Sequence, residues 1–484
     1  MKMLLKWTGG ILAGIAAAVL LLWWAVLPPR LNAVAQQDLI LSGVTVVNPG
    51  TKRLTGQTIV IRQGRIEAIR PIAANDPEPI CEGCFAMPGL IDAHVHTPPS
   101  FIAGNQRLFA LMYLRYGVTS VRDVGQSEAG IADFAAALNA GAIAGPHMYR
   151  CGEVLEGSPP GWPVARIVET AGAARAAVME LADAGVDCVK VYNEINRESF
   201  EAVAEAAAER HLPLIGHVPH AVGLADVKDF EVQHFTGIPY VSASRPPLGW
   251  DYRDEDVAAM SGDDIQRAVG IAAANRLSMT PTLANHTLRL TDSDRQQFPP
   301  SAGAAHLPAF WADSWQLVAG HPRGSEAIHR RLATQQQYDE IVRQMNSAGV
   351  DVLAGTDTLM PWVVPGESMH LELARLEVVL GSAEAALRAA TAVNGRHIAP
   401  GDVGEIREGM RADILLLPED PAASLEVIDN WRMLIADGRL YDRQTIDAWL
   451  SRYDKHFHGA IYNTVISGLV SALAQRFAHG HADD

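Results

Sequence analysis

The sequence predicts an α/β fold, a (β/α)8 TIM barrel joined to a small β-sandwich domain built from both chain ends, behind an N-terminal membrane or signal helix. Three observations carry this expectation. Short β-rich runs alternate with Ala-rich helical stretches through the middle of the chain, the pattern of repeated βα units around a parallel sheet. Those runs number eight, the count that closes such a barrel. Alternating strands with hairpin signals stand near both ends of the chain. A length of 484 residues with 48% hydrophobic and 19% charged residues supplies the core that such an architecture needs.

The first 35 residues stand apart. Lys2 and Lys6 precede an uncharged run from Trp7 to Pro29, long enough to cross a bilayer at roughly 20 residues. Lysines on the near side favour an inside N-terminus and put the rest of the chain outside the cytoplasm. Ala33-Val34-Ala35 offers a small-residue cleavage site, so residues 1–35 read as a signal anchor or a cleaved signal peptide. The protein is expected to be exported, periplasmic or extracytoplasmic, and held to the membrane by this helix if it is uncleaved.

Asp38 to Val47 alternates around Leu39, Leu41, Val44 and Val46, and Thr58 to Ile69 repeats the pattern across Gln63-Gly64-Arg65. A similar texture returns at Ala412 to Leu417 and Trp431 to Leu440. Residues 38–87 and 400–442 are therefore expected to share the β-sandwich, with a catalytic barrel over 88–399 inserted between them. Its eight predicted strands are Leu90 to His96, Val118 to Val124, His147 to Gly152, Cys188 to Tyr192, Leu214 to Val218, Phe230 to Phe235, Leu277 to Leu283 and Val350 to Thr356. Stretches such as Ser199 to Arg210 and Ala383 to Ala392 supply the covering helices.

Three connections, Leu155 to Pro163, Pro239 to Asp256 and Asn285 to Ile328, look like lids or pocket walls on the catalytic face, since they carry Trp162, Trp250, Trp311 and Trp315. Residues 443–484 form a tail in which Ile461, Val465, Ile466, Leu469, Val470, Leu473 and Phe477 follow helical spacing. Packing against the barrel is the expected use of that face, with subunit contact or membrane-surface docking as alternatives, so a homo-oligomer stays open.

A formal charge of −16, from 39 basic and 55 acidic residues, and the lack of a Lys/Arg cluster argue against nucleic acid as a partner. Four cysteines are too few for a disulfide scaffold. An exported protein can oxidise the close pair Cys81 and Cys84 or keep it as two buried thiols. Cys151 and Cys188 sit in apolar strand-like runs and read as small core hydrophobes.

The strongest local chemical signal is Pro88-Gly89-Leu90-Ile91-Asp92-Ala93-His94-Val95-His96, an apolar strand ending in His-x-His. Strand alternation sends residues i and i+2 to one face, so both imidazoles can reach one metal. Lys190 lies within Cys188-Val189-Lys190-Val191-Tyr192, where burying an ammonium among apolar residues demands a compensating role. His217, His234 and Asp357 end three further predicted strands. All are metal-ligand types at the carboxyl ends of barrel strands, where active sites of this fold sit.

On these residues the chain resembles the amidohydrolase superfamily from about Leu41 to Leu440. Further segments that carry the resemblance are Gly117 to Gly125, Gly366-Glu367-Ser368-Met369-His370 and Gly404 to Ile414. Val189-Lys190-Val191-Tyr192 followed by Gly216-His217-Val218-Pro219 looks like the imidazolonepropionase-like and prolidase-like branch. The resemblance implies that His94, His96 and Asp357 hold one divalent ion and His217 and His234 a second. It also implies that Lys190, carboxylated to its carbamate, bridges them. Zinc is the expected metal, with manganese, iron or cobalt compatible.

Two such ions hold a shared hydroxide whose pKa they lower toward ~7. Asp357 would then act as catalytic base as well as ligand. Tyr192 and His220 are tentative substrate contacts. Two departures from that branch are Gln233, where a glutamate often precedes the sixth-strand histidine, and the absence of a histidine beside Cys151-Gly152.

The expected reaction is hydrolysis of a C–N bond in a small amide or peptide-like substrate such as a dipeptide, N-acyl amino acid or cyclic amide. Alternatives are a mononuclear deaminase or an imidazolonepropionase-type ring hydrolase, and a catalytically inactive membrane-tethered metal-binding protein. Deaminase-like relatives usually carry a glutamate three residues after the fifth-strand histidine, and here that residue is His220.

Overall fold

The computed structural model describes residues 14, 16–126, 129–162, 164–242, 254–291, 301–319 and 325–470. Leu39–Val46 (β1), Leu54–Arg62 (β2) and Arg65–Pro71 (β3) pair antiparallel. Their apolar positions alternate, so Leu39, Leu41, Ile59, Ile61 and Ile66 bury against one another. Phe85–Pro88 (β4) then runs parallel to β1.

The central segment supplies the predicted strands, most of them trimmed at their ends. These are Leu90–Val95 (β5), Val118–Asp123 (β6), His147–Arg150 (β7), Val189–Val191 (β10), Leu214–Gly216 (β11), Phe230–Gln233 (β12), Ser278–Thr280 (β13) and Asp351–Val352 (β14). Two short strands, Leu155–Glu156 (β8) and Arg166–Ile167 (β9), fall in and beside a connection expected to be a loop. Their neighbours in the sheet are parallel and buried along their whole length, so the polar residues that β10, β12 and β13 carry are buried with them. Predicted helices appear as Arg197–Glu209 and Ala383–Arg388. Among the described residues, the connection expected from Asn285 to Ile328 is largely helical, with Leu283–Thr291, Phe310–Ala319 and the start of Ser325–Ser347. Trp311 and Trp315 are buried there. Much of the Pro239 to Asp256 connection, with Trp250, lies outside the described residues.

The strand pairings do not close one continuous barrel as expected. They form two sheets, β5-β6-β7 and β14-β13-β12-β11-β10-β8-β9. Discrete bonds join the facing edges. At one seam Ala93 N–H donates to Ala354 O at 3.0 Å and Asp357 N–H to His94 O at 2.8 Å. There the buried Asn394 amide donates to Ile91 O (2.7 Å) and Ala354 O (2.8 Å). At the other seam Asp187 N–H donates to Arg150 O at 2.8 Å, and Cys151 is bonded to Cys188. The two cysteines are thus buried as expected, but as a disulfide rather than as thiols. Cys81 and Cys84 are also bonded. Inside, Arg122 of β6 pairs with Glu231 of β12 and donates through Nε to Ala93 O, tying the two sheets across the interior.

The chain's far end returns as Ile414–Leu417 (β15), Met433–Ala436 (β16) and Arg439–Asp442 (β17). These join the first strands in one seven-stranded sheet, β17-β16-β15-β4-β1-β2-β3. The pairings give a single mixed sheet where a sandwich was expected, because β4 lies between β1 and β15 and splices the two termini edge to edge.

Residues 16–26 are helical, and residues 19–24 are exposed apolar side chains. Among the described residues no helix is long and apolar enough to cross a membrane. The expected span begins at Trp7, outside the described residues, as do Lys2 and Lys6. In the tail, Ile466 and Val470 are buried while Ile461 and Leu469 are exposed. Leu473 and Phe477 lie outside the described residues.

Candidate metal centre and active site

The carboxyl ends of β5, β12 and the segment after β14 bring His94, His234 and Asp357 together. Each offers a ligand atom within 4.8 Å of the others, and all three are buried. Asp357 Oδ1 lies 3.3 Å from His94 Nε2 and 3.5 Å from His96 Nε2, while Oδ2 lies 3.9 Å from His234 Nε2. The His217 ring sits 5.1 Å from that of His234. Lys190, on the buried β10, faces the same space, since its charge depresses the pKa of both His94 and His234. The tightest group therefore draws His94 and Asp357 from one expected ligand set and His234 from the other.

Local backbone form aims these groups. His234 and Asp357 have φ of 57° and 65°, left-handed values that a residue with a Cβ rarely adopts outside special sites. Each lies just past a strand end, where the twist into αL turns the side chain inward. Gly355 permits the close approach of this segment to β5, because a Cβ there would stand 2.7 Å from His94 Cβ and 3.0 Å from its backbone nitrogen.

Three imidazoles are oriented through Nδ1. His96 Nδ1 meets Gly125 O at 3.2 Å, His217 Nδ1 meets Asn193 Oδ1 at 2.9 Å, and His234 Nδ1 meets Thr282 Oγ1 at 2.7 Å. Such contacts fix the tautomer and turn Nε2 to the pocket, as metal-bound histidines generally require. His94 is different, because both its ring nitrogens are buried without a hydrogen-bond partner. Buried polar atoms are costly unless satisfied. A divalent cation at Nε2 would satisfy one of them, and imidazole with carboxylate is the donor set that zinc, manganese, iron or cobalt accept.

Electrostatics agree with that donor set. Burial, with the Lys190 charge, lowers His94 to about 3, and burial holds His234 well below the ordinary imidazole range, so both present neutral lone pairs. For Asp357, burial pushes upward, yet the facing imidazoles keep it well below the usual carboxylate range. Asp92 lies behind the pair. It accepts from the backbone of His94 and Thr356 and from the Thr356 hydroxyl, and burial raises its carboxyl to about 7.

Of the two tentative substrate residues, Tyr192 stacks on the His217 ring with centroids 3.9 Å apart. His220 meets Glu194 Oε1 through Nδ1 at 3.2 Å. Trp162 stacks on His96 at 5.3 Å, which places that loop tryptophan against the pocket. Sequence reasoning did not single out Asn193, Thr282 or Asn285. The last donates to Asp357 Oδ2 at 2.7 Å. Thr282 and Asn285 follow β13, one of the central strands with no predicted ligand at its end, so no local signal marked them.

A sequence profile of the amidohydrolase family matches residues 85–441. An adenine deaminase of Thermosipho africanus is 34% identical over 85 residues, spanning 17% of this chain and 14% of that protein. Among solved structures, a bottromycin amidohydrolase superposes with a TM-score of 0.68 at 23% identity, covering 87% of this chain and 90% of the other. A Bifidobacterium longum protein described as a prolidase gives 0.63 at 22%, over 86% and 99%. A Xaa-Pro dipeptidase with bound methionine gives 0.61 at 17%, over 84% and 100%.

Proposed function

This chain belongs to the amidohydrolase family, and we propose that it hydrolyses the C–N bond of a small amide or peptide-like substrate at a metal pair held by His94, His96, Lys190, His217, His234 and Asp357. The observation that carries the reading is the buried convergence of His94, His234 and Asp357, with both His94 ring nitrogens unsatisfied by protein. Bound divalent cations would polarise the scissile carbonyl and lower the pKa of water.

The protein's own part follows from its geometry. His94 and His234 stay neutral and offer lone pairs, and His96 and His217 are oriented beside them through Nδ1. Lys190, as the carbamate that its ammonium would form by adding CO2 and losing two protons, would exchange a buried cation for an anion beside the histidines. Asp357 takes the proton of the attacking water as its oxygen adds to the carbonyl carbon. The same proton passes to nitrogen as the C–N bond breaks, so an acid and an amine leave. Trp162 and Tyr192, stacked on His96 and His217, wall off bulk water and narrow the entrance to small substrates.

The relatives favour amide chemistry. Structures described as prolidase and Xaa-Pro dipeptidase share the fold, which supports dipeptides and N-acyl amino acids as the first class to try. The short match to an adenine deaminase supports a second reading, mononuclear deamination or ring hydrolysis. We further read the two sheets as one (β/α)8 barrel over residues 88–399, flanked by a composite β-domain of 38–87 and 400–442. We also read the chain as exported, with residues 1–35 as signal or anchor. Two disulfides support an oxidising compartment.

The test is an activity screen of zinc- and manganese-loaded protein against dipeptides, N-acyl amino acids, lactams, lactones and aminopurines. Release of amine from at least one amide class is expected. Turnover confined to aminopurines would transfer the assignment to the deaminase reading.

A further inference from the structure

Asn285 has no place in the ligand set, yet it touches Asp357 directly. It lies two residues into Leu283–Thr291, after the backbone at Thr282 turns through φ of 51°. The residue is 3% exposed. Its Nδ2 donates to Asp357 Oδ2 at 2.7 Å, and its Oδ1 is buried with no hydrogen-bond partner. Neighbours hold it in place. Ala284 N–H donates to the buried Glu372 Oε2 at 2.6 Å, and Thr282 Oγ1 holds His234. The two ends of this amide thus face different fates. One fixes the carboxylate oxygen turned away from His94 and His96, and the other is a buried acceptor with no protein partner.

We infer that Asn285 selects for an N–H on the scissile amide: Nδ2 holds Asp357 while Oδ1 accepts the substrate's amide hydrogen. The inference rests on the amide-hydrolase reading and deepens it by naming the substrate class as secondary rather than tertiary amides. The chemistry of the site favours it over a purely structural role. An unpaired buried acceptor costs free energy unless a ligand satisfies it. A site built to bond a substrate N–H rejects the analogue lacking it, because the site's own polar atom is then left unpaired. Asp357 must also return its proton to the leaving nitrogen, so a group that touches both Asp357 and that nitrogen would set their alignment. An Xaa-Pro bond has no such hydrogen and should be a poor substrate.

The experiment compares an N-acyl amino acid with its N-methyl counterpart, in wild-type metal-loaded protein and in Asn285→Leu, with metal content per chain measured alongside. Wild type is expected to prefer the secondary amide by on the order of 100-fold in kcat/KM. Asn285→Leu is expected to keep its metal and lose most of that preference, through a fall confined mainly to the secondary amide. If Asn285→Leu does not fold, Asn285→Ser, too short to span both partners, takes its place with the same expectation. Equal wild-type rates on both amides, or an unchanged preference in a metal-replete variant, would overturn the inference while leaving amide hydrolysis standing. Failure of wild type on every amide would remove the function and the inference together, and the metal content would then show whether the site itself had formed.

Discussion

At Gly355 the chain passes so close to His94 that no side chain fits, and this contact sets the position of the first ligand strand. Gly355→Ala should displace His94 by a fraction of an ångström. Kinetics and metal titration should then show a loss on the order of 100-fold in kcat/KM with a smaller change in stability, since misplacing a catalytic group by about 1 Å carries such a penalty. Wild-type rates in that variant would mean that the strand has slack the packing does not suggest.

The residues proposed as ligands stand out in the sequence because each lies in or at the end of an apolar strand run, where a histidine, lysine or aspartate is out of character. Their supporting partners were not. Asn193, Thr282 and Asn285 are ordinary polar residues whose importance lies in what they touch across 24, 48 and 72 positions of sequence. The Cys151–Cys188 bond was missed for the same reason, since nothing local tells a buried thiol from half of a disulfide.

Among the elements, the helix Glu367–Leu380 carries Glu372 against the segment after β13. Burial raises its carboxyl to about 8 from an ordinary 4.5, opposed by bonds from the backbone of Ala284 and Leu283. A carboxyl raised in the folded state holds its proton there more firmly than in the unfolded chain. Its contribution is therefore fully present below about 4.5 and lost as pH rises through about 8. Denaturant midpoints at pH 6 and pH 9 should show wild type losing more stability with rising pH than Glu372→Gln, which carries no ionisable group. Equal losses would mean that Glu372 is not buried as a neutral acid.

The Arg122–Glu231 pair links two other elements, β6 and β12. Removing one partner leaves a buried charge, so Arg122→Met alone should cost roughly 3 to 5 kcal/mol, whereas Arg122→Met with Glu231→Leu should recover most of it. Chemical denaturation of the three proteins decides this. A double variant as unstable as the single one would show that the bond from Arg122 to Ala93 O, rather than the ion pair, is what matters.

For the whole molecule, the eight central strands were predictable from alternation and spacing, but their division into two sheets was not. Sequence pattern marks which residues are buried and says little about whether edge backbones align well enough to pair. Here the seams are carried by a few hydrogen bonds each, reinforced by the Asn394 amide at one and the Cys151–Cys188 bond at the other. The disulfide closes a separation of 37 residues. Chain-entropy reasoning values such a loop at roughly 3 to 4 kcal/mol. Thermal unfolding of Cys151→Ala/Cys188→Ala should show a lower Tm than wild type, and an unchanged Tm would assign the seam to its hydrogen bonds alone.

Lys190 is where fold and function meet in the proposed mechanism, because as its carbamate this buried lysine would bridge the two ions. Elemental analysis of purified wild type and Lys190→Ala is the most direct test. Wild type should hold about two divalent ions per chain, and the variant no more than about one, with hydrolysis nearly abolished. A fully active wild type holding a single ion, or a variant with unchanged metal content, would contradict the bridged pair.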